Sequence, residues 1–498
     1  MSEIDPTLID EFRNSWSNPI NKPRMAIEGL EEKISYEDLL LQVGKIAGAL
    51  RAAGVKNNDR IAIAIERSPT QALYILGCMV AGACPCPFEP QLGRDEVERR
   101  ISITKIKWLL LDNISSLDQA FENIAEVKKL NIHALQDAEI FWAEDISLED
   151  PGFLLFTSGS SGKPKGVLLS HRGLLTNAKG IVDGSNISIF DRLLHIMPLH
   201  HTNGVNNQLF APLIAGATVC ISPRFSPSRM PDLMDKFQPT VVTGVPTMYS
   251  RLLGIQFSKK SLSNLRILRC GSAPITEELH RKVESKFGCP LVVSYGLSEA
   301  TCTSTLNPIN QRKIGSVGKV LDSQEVFLDL SSGEGVDGSG EICIKGPSLM
   351  MGYLDEGTYG MPFLPSSILH TGDIGRFDSE GYLYITGRLK EVIIRGGENL
   401  SPNLIEEVIG AIDGVQAVCV VGKKDLDLGE VPIAFIVKKK NFSGDGLTNE
   451  ILDSKILEKL TYIHKPAGYL FINNLPENSV GKIDRKSLKK MLEDGKEF

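Results

Sequence analysis

The chain has 498 residues, 42% of them hydrophobic and 23% charged, which at about 150 residues per domain is about three domain equivalents with room for sizeable cores. Gly (46) and Pro (26) are near average usage, which excludes collagen-like, low-complexity and disordered chains. A net charge of −7, from 54 basic against 61 acidic residues, gives no sequence-wide electrostatic reason to bind nucleic acid or an acidic bilayer, so small molecules are the expected partners.

The start, Met1-Ser2-Glu3-Ile4-Asp5-Pro6, has neither a basic opening nor an apolar stretch, so no secretory signal is expected. No run reaches the roughly 18 apolar residues of a membrane span, and the expected location is the cytoplasm. Nine cysteines are scattered along the chain, and the close pair Cys84 and Cys86 matches neither zinc nor thioredoxin spacing; reduced thiols are expected.

Tyr36, Leu39, Leu40, Val43, Ile46, Ala47 and Leu50 recur at helical spacing and predict a helix over 36–54, stopped by Gly54. A strand at 60–65, a helix at 71–83 and a strand at 107–112 follow. Further strands are expected at 191–198, 217–222, 240–245, 266–270 and 291–295, and this alternation predicts an α/β fold with mostly parallel sheets. After about 320, short apolar runs separated by turns such as Ser332-Gly333-Glu334-Gly335 and Asp337-Gly338-Ser339-Gly340 predict antiparallel strands. The pattern restarts beyond Gly387-Arg388-Leu389-Lys390 with a strand at 391–394, a Gly-Gly turn, a helix at 402–412 and strands near 418–421 and 433–437. The expected division is a large N-terminal domain at 1–389, whose last part from about 320 is a β-rich subdomain, and a small α+β domain at 390–498.

The strongest chemical signal is the loop Thr157-Ser158-Gly159-Ser160-Ser161-Gly162-Lys163-Pro164-Lys165-Gly166 between two apolar strands. Its hydroxyls, backbone N–H groups and lysines could surround phosphate oxygens, although composition alone also allows a mobile polar hairpin. It is not a Walker loop, because Pro164 stands where Ser or Thr is required and a strand, not a helix, follows.

The loop resembles the phosphate-binding signature of the acyl-adenylate-forming (AMP-binding) superfamily, which holds acyl-CoA ligases, peptide-synthetase adenylation domains and luciferases. Further signatures of that superfamily follow in order: Gly271-Ser272-Ala273-Pro274, Ser294-Tyr295-Gly296-Leu297-Ser298-Glu299, Thr371-Gly372-Asp373, Gly387-Arg388-Leu389-Lys390-Glu391 and Pro476-Glu477-Asn478-Ser479-Val480-Gly481-Lys482. The resemblance implies an ATP-dependent acid–CoA ligase that forms an acyl-adenylate and releases pyrophosphate. It implies that Gly271 to Pro274 and Ser294 to Gly296 sandwich adenine, that Asp373 accepts hydrogen bonds from the ribose hydroxyls and that Arg388 contacts ribose or phosphate. Glu299, the one acidic side chain of its motif, is expected to hold Mg²⁺ against the phosphates. Lys482 is implied as the catalytic lysine bridging the attacking carboxylate and the α-phosphate. Lys390 is implied as the hinge of a mobile C-terminal domain, whose Arg395-Gly396-Gly397-Glu398-Asn399 turn would serve the CoA step.

The segment Met197-Pro198-Leu199-His200-His201-Thr202-Asn203-Gly204 resembles the acyl-pocket signature, with His201 as the gate and Asn203 beside it. No acidic residue follows it from Pro198 to Val219, which argues against an α-amino acid. The run Thr301 to Thr305, including Thr303, offers little apolar wall, so a small or polar acid is expected. Gly244 to Leu252 resembles a stretch of malonyl-CoA synthetases in which an arginine reads a distal carboxylate, so Arg251 is either that reader or an exposed helix arginine. CoA is the expected acceptor, a carrier-protein phosphopantetheine the alternative, and either a monomer or a homodimer is compatible with the sequence.

Overall fold

In the computed structural model the described residues are 5–89, 92–112, 127–131, 138–157, 164–331, 338–355, 358–359, 367–396, 398–439, 447–477 and 482–494. The predicted α/β class is what forms. Six strands, in spatial order Leu291–Tyr295, Ile267–Cys270, Val241–Gly244, Arg192–His195, Thr218–Ile221 and Met25–Glu28, pair in parallel at the centre of a nine-stranded sheet. Antiparallel strands close both edges, Lys33–Ser35 on one side and Thr305–Leu306 with Lys319–Val320 on the other. The switch to antiparallel pairing therefore comes before 320, because residues 296–304 are too few for the crossover that a parallel return needs. A second sheet, Cys84–Pro87, Arg60–Ala64, Trp108–Leu111 and Lys128–Asn131, is wholly parallel.

The helix expected from Tyr36 onward runs Tyr36–Ala52, started by a reciprocal cap in which Ser35 and Asp38 each accept from the other's backbone N–H. Its stripe of Tyr36, Leu39, Val43, Ile46, Ala47 and Leu50 is buried, and Tyr36 O–H donates to the carbonyl of Ala217 at 2.6 Å. The next helix starts at Pro69, not Gln71, because the Ser68 side chain accepts from Gln71 N–H and Pro69 fits the first turn. Leu8–Ser17, Arg94–Thr104 and His171–Gly184 are further helices.

The strands Pro151–Thr157 and Lys165–Ser170, on either side of the expected phosphate loop, pair antiparallel, with Thr157 opposite Lys165. Gly352–Asp355 and Thr358–Tyr359 extend this sheet, so part of the stretch beyond 320 joins the N-terminal layer. The strands Glu325–Asp329, Gly340–Lys345, Leu369–Phe377 and Leu383–Arg388 form a separate antiparallel sheet. Of the expected turns there, Gly338 is described, with φ +76°, and 332–337 lie outside the described residues.

Beyond Lys390 the chain builds cores from its own residues: Ile393, Ile405, Ile409 and Ile436 on one side of the sheet, Cys419, Phe435 and Leu488 on the other. That sheet comprises Glu398–Leu400, Ile393–Arg395, Gly429–Lys438 and Val415–Asp425, with Gly468–Phe471 parallel to Gly429–Lys438. Among the described residues no helix is long and apolar enough to cross a membrane. All nine cysteines are free, eight of them buried.

Candidate active site

Residues carried by three of the sheets come together here. The pairing of Thr157 with Lys165 closes the base of the loop; Ser158, Gly159, Ser160, Ser161, Gly162 and Lys163 lie outside the described residues. Arg99 Nη2 donates to the carbonyl of Pro164 at 2.7 Å and fixes the returning strand. The Lys165 ammonium sits 5.1 Å from the centre of the Tyr353 ring, a cation–π contact. The Tyr353 hydroxyl donates to Glu299 Oε1 at 2.9 Å, and the Glu299 carbonyl accepts from Met350 N–H at 2.8 Å. Glu299, on the short turn Ser298–Ala300, is thus linked through Tyr353 to Lys165 at the base of that loop. Tyr353 was not foreseen, because nothing near Met351-Gly352-Tyr353 signals chemistry in sequence.

Asp373 is 3% exposed and stands opposite Arg388 across two antiparallel strands. Arg388 Nε donates to its Oδ1 at 2.5 Å and Tyr295 O–H to its Oδ2 at 2.8 Å. Burial, then the Asp373 charge, pushes the Tyr295 phenol well above its ordinary range, so it stays protonated. Gly271 faces Ser294: a Cβ there would lie 2.9 Å from Ser294 Oγ. Ser272 follows with φ +68°, backbone strain of the kind that collects at functional sites, and half-buried Ala273 comes next. A Cβ on Gly296 would lie 1.8 Å from the carbonyl oxygen of Cys302. Gly296→Ala is therefore expected to destabilise the fold by about 3 kcal/mol or more, beyond the usual cost of overpacking, and a melt that matches the parent protein would rule this out.

Lys482 brings the C-terminal segment into this ring. Burial, then the neighbouring Arg388, holds its ammonium below its ordinary pKa, while Asp373, Cys302 and Glu299 act in the opposite direction. Three anchors fix this segment. Asp484 Oδ1 accepts from Lys486 N–H and Ser487 N–H at 3.1 and 3.2 Å. Arg485 binds Glu406 through Nη1 at 2.6 Å and Nη2 at 2.8 Å, a two-point pairing of guanidinium and carboxylate. Arg485 Nε also meets Glu391 at 3.1 Å.

At the expected acyl-pocket segment, His201 caps a continuous helical stretch: Thr202–Val205 is α, Asn206–Phe210 is π and Ala211–Ile214 is α again. Burial first, then His200, keeps the His201 imidazole well below its usual pKa, with Lys482 and Arg100 adding to the effect. Asn203 donates to Ser272 Oγ at 3.4 Å. Asn207 donates to Thr303 Oγ1 at 3.1 Å, and the Thr303 carbonyl accepts from Asn177 at 2.7 Å and Gln324 at 2.9 Å. Thr301 and Thr305 spend their hydroxyls on the carbonyls of Ser348 and Val317, so part of the polarity read from this run is structural. Thr301 and Cys302 have φ +63° and +155°.

Arg251 does not join this group. It is half exposed and donates to Glu477 Oε1 at 2.5 Å, a carboxylate from the segment leading to Lys482. Lys390 is exposed in the turn after Arg388, Gly396 has φ +58°, and Gly397 lies outside the described residues.

Two buried histidines make the fold acid-sensitive. Burial lowers His171 to about 4 and His195 to about 3, against about 6.5 when unfolded. The folded state therefore binds fewer protons than the unfolded one between those values, so stability is intact above about pH 6.5 and falls as pH drops. The expected loss is roughly 1.4 kcal/mol per pH unit for each histidine. Thermal melts between about pH 6.5 and 4.5 should show a steep fall in Tm, and a flat profile would contradict it.

Comparison with known proteins adds the relatives of this arrangement. Residues 12–354 match the model of the AMP-binding enzyme family and residues 404–482 that of the AMP-binding enzyme C-terminal domain. The indoleacetate–CoA ligase of Aromatoleum aromaticum is 30% identical over 492 residues, covering 94% of this chain and 95% of the relative. The 2-succinylbenzoate–CoA ligase of Bacillus mycoides is 30% identical over 478 residues, covering 95% and 96%. The crystal structure of ATP-bound MatB from Rhodopseudomonas palustris superposes with a TM-score of 0.89 at 29% identity, covering 98% of this chain and 99% of that one.

Proposed function

The chain belongs to the AMP-binding enzyme family, and from that premise we propose that it joins a small or polar carboxylic acid to CoA through an acyl-adenylate. Its relatives are acid–CoA ligases and it is an acid–thiol ligase of that kind. The observation that carries the reading is the convergence on Lys482 of Glu299, Asp373 and Arg388, whose charges act on its ammonium although they come from separate parts of the chain, with Arg388 bonded to Asp373.

A carboxylate is already ionised near neutral pH, so the first step needs no base. It needs two anions held together and charge at phosphorus neutralised. The acid's oxygen forms a bond to the α-phosphorus of ATP as the bond to the β-phosphate oxygen breaks and pyrophosphate leaves. In this reading the residues from Thr157 to Lys165 surround the phosphates, and Lys482 spans the attacking carboxylate and the α-phosphate. Asp373 holds the ribose hydroxyls, with Arg388 at ribose or phosphate. Gly271, Ser272, Ala273, Ser294, Tyr295 and Gly296 enclose adenine, with Ser298 beside Glu299. A hard cation takes oxygen ligands, which fits the Glu299 carboxylate, one of whose oxygens accepts from Tyr353; Mg²⁺ held there would neutralise phosphate charge. In the second step the CoA sulfur, giving up its proton to solvent, forms a bond to the acyl carbon as the bond from that carbon to the AMP phosphate oxygen breaks and AMP departs. The domain carrying Lys482 is proposed to turn about Lys390 between the two, presenting Gly396 and Gly397 to the thiol. His201, Asn203 and Thr303 border the acid, and their polarity supports a small or polar substrate.

Purified protein with ATP, Mg²⁺, CoA and an acid panel is expected to yield AMP, pyrophosphate and the CoA thioester, with none formed when acid is omitted. ADP and phosphate as products would overturn adenylation. Adenylate formed without CoA thioester, alongside loading of a carrier protein, would overturn CoA as acceptor. A higher kcat/KM for palmitate than for every short acid would overturn the pocket reading.

A further inference from the structure

Arg269 occupies the third position of the central strand Ile267–Cys270 and is 1% exposed. Side chains alternate across a strand. Leu268 and Cys270 face the cluster with Val283 and Phe287, while Ile267 faces Ala178, Ile181 and Ala211 on the opposite side. Arg269 therefore faces the same side as Ile267, beneath the Thr202–Ile214 helical stretch. Thr243 pairs with Arg269 in the adjacent parallel strand. One strand further on, His195 faces the same helical stretch, with its Nε2 2.9 Å from the carbonyl oxygen of Gly204.

In this layer Arg269 Nε and Nη1 are buried without a hydrogen-bond partner among the described residues, and so are Thr243 Oγ1, Asn206 Oδ1 and Asn207 Oδ1. Among the described residues no carboxylate pairs with the guanidinium, and the side chains acting on its charge are Cys302, Tyr249 and Arg266. Cys302 lies within electrostatic reach of both Arg269 and Lys482, and Asn203, on the helical stretch over Arg269, donates to Ser272 at the site. Asparagine and threonine can accept or donate hydrogen bonds, but they cannot neutralise a buried cation. A buried charge is costly unless paired, and the planar guanidinium fork matches a carboxylate.

We propose that Arg269 is a specificity residue of the acyl pocket and that the acid this enzyme activates carries a second carboxylate, which the Arg269 guanidinium binds beneath the Thr202–Ile214 helical stretch. This rests on the acid-activating reading above. One carboxylate meets the α-phosphate beside Lys482. The other sits behind Cys302 against Arg269, with Thr243 and Asn207 within the same polar layer. A neutral end group would leave the cation unpaired.

The test uses the full-length enzyme with ATP, Mg²⁺ and CoA, reading pyrophosphate release on a ladder of straight-chain and aromatic dicarboxylic acids, each compared with its monoamide. For the best diacid, kcat/KM should exceed that of its monoamide by roughly 30-fold or more, the scale of losing one partner of a buried charge pair. Arg269→Met should bring that ratio close to one while leaving the affinity for ATP unchanged, and Arg269→Lys should retain part of the preference. Absence of a diacid preference in the parent enzyme, or its survival in Arg269→Met, overturns the proposal. If Arg269→Met fails to fold, the parent ratio and Arg269→Lys decide the matter. Failure of every acid to release pyrophosphate would count against acid activation itself, a different outcome from activation of monoacids alone.

Discussion

Lys482→Ala is expected to reduce acid-dependent pyrophosphate release by several orders of magnitude while leaving the thioester step close to the parent rate. The side chain is the cation assigned to the meeting point of two anions, and removing such a preorganised charge costs about 3 to 5 kcal/mol of transition-state stabilisation. Its surroundings sharpen the expectation: burial and Arg388 disfavour the ammonium, while Asp373 and Glu299 favour it. The anchors of this segment, Asp484 on the helix N-terminus and Arg485 on Glu406, do not involve the Lys482 side chain. The variant should therefore fold, which circular dichroism can check. Supplied with pre-made acyl-adenylate and CoA, it should form thioester. Equal damage to both half-reactions in a folded variant would end the assignment of separate arrangements to the two steps.

Lys390→Pro should do the reverse, adenylating while failing to transfer. Lys390 is exposed, and the hydrogen bonds of its turn run from the N–H groups of Glu391 and Val392 to the carbonyl of Arg388, at 3.0 Å each. A proline at 390 removes none of these. What it removes is freedom: φ is fixed near −65°, and a hinge must change φ and ψ to turn a domain. Single-turnover adenylate formation near the parent rate, with thioester formation reduced by roughly a hundredfold or more, is the expected pair of results. Unimpaired transfer would place the pivot elsewhere.

The sequence was legible where one physical signal dominates. Apolar runs such as Ile61 to Ala64 and Leu291 to Val293 are buried strands, as short continuous apolar runs bounded by polar residues predict. Asp373 and Arg388 were found as motif members, yet their direct pairing follows from strand register, which no motif states. The polar run Thr301 to Thr305 was read as pocket wall, but two of its hydroxyls serve backbone carbonyls, a use visible only once Ser348 and Val317 are placed. The two arginines show the limit most plainly. Arg251 sits in a suggestive motif and turns out to pair with Glu477, whereas Arg269 is one charged letter within a strand, and only the burial of both strand faces shows how unusual it is. The helix Leu8–Ser17 was in reach, since Thr7 and Asp10 form a capping box ahead of an apolar stripe.

The π-helical turn Asn206–Phe210 gives the proposed acid-binding wall an uncommon evolutionary handle. Such a turn carries one residue more than an α-helix would need over the same rise. Deleting a single residue here would let the stretch relax to α geometry with its two flanks kept in place, so that only the side chains within the turn change direction. Asn206 and Asn207 would then exchange orientations with their neighbours, while the strands carrying Asp373 and the segment carrying Lys482 kept their places. A lineage could acquire a new diet of acids by a one-codon loss, with the nucleotide machinery untouched.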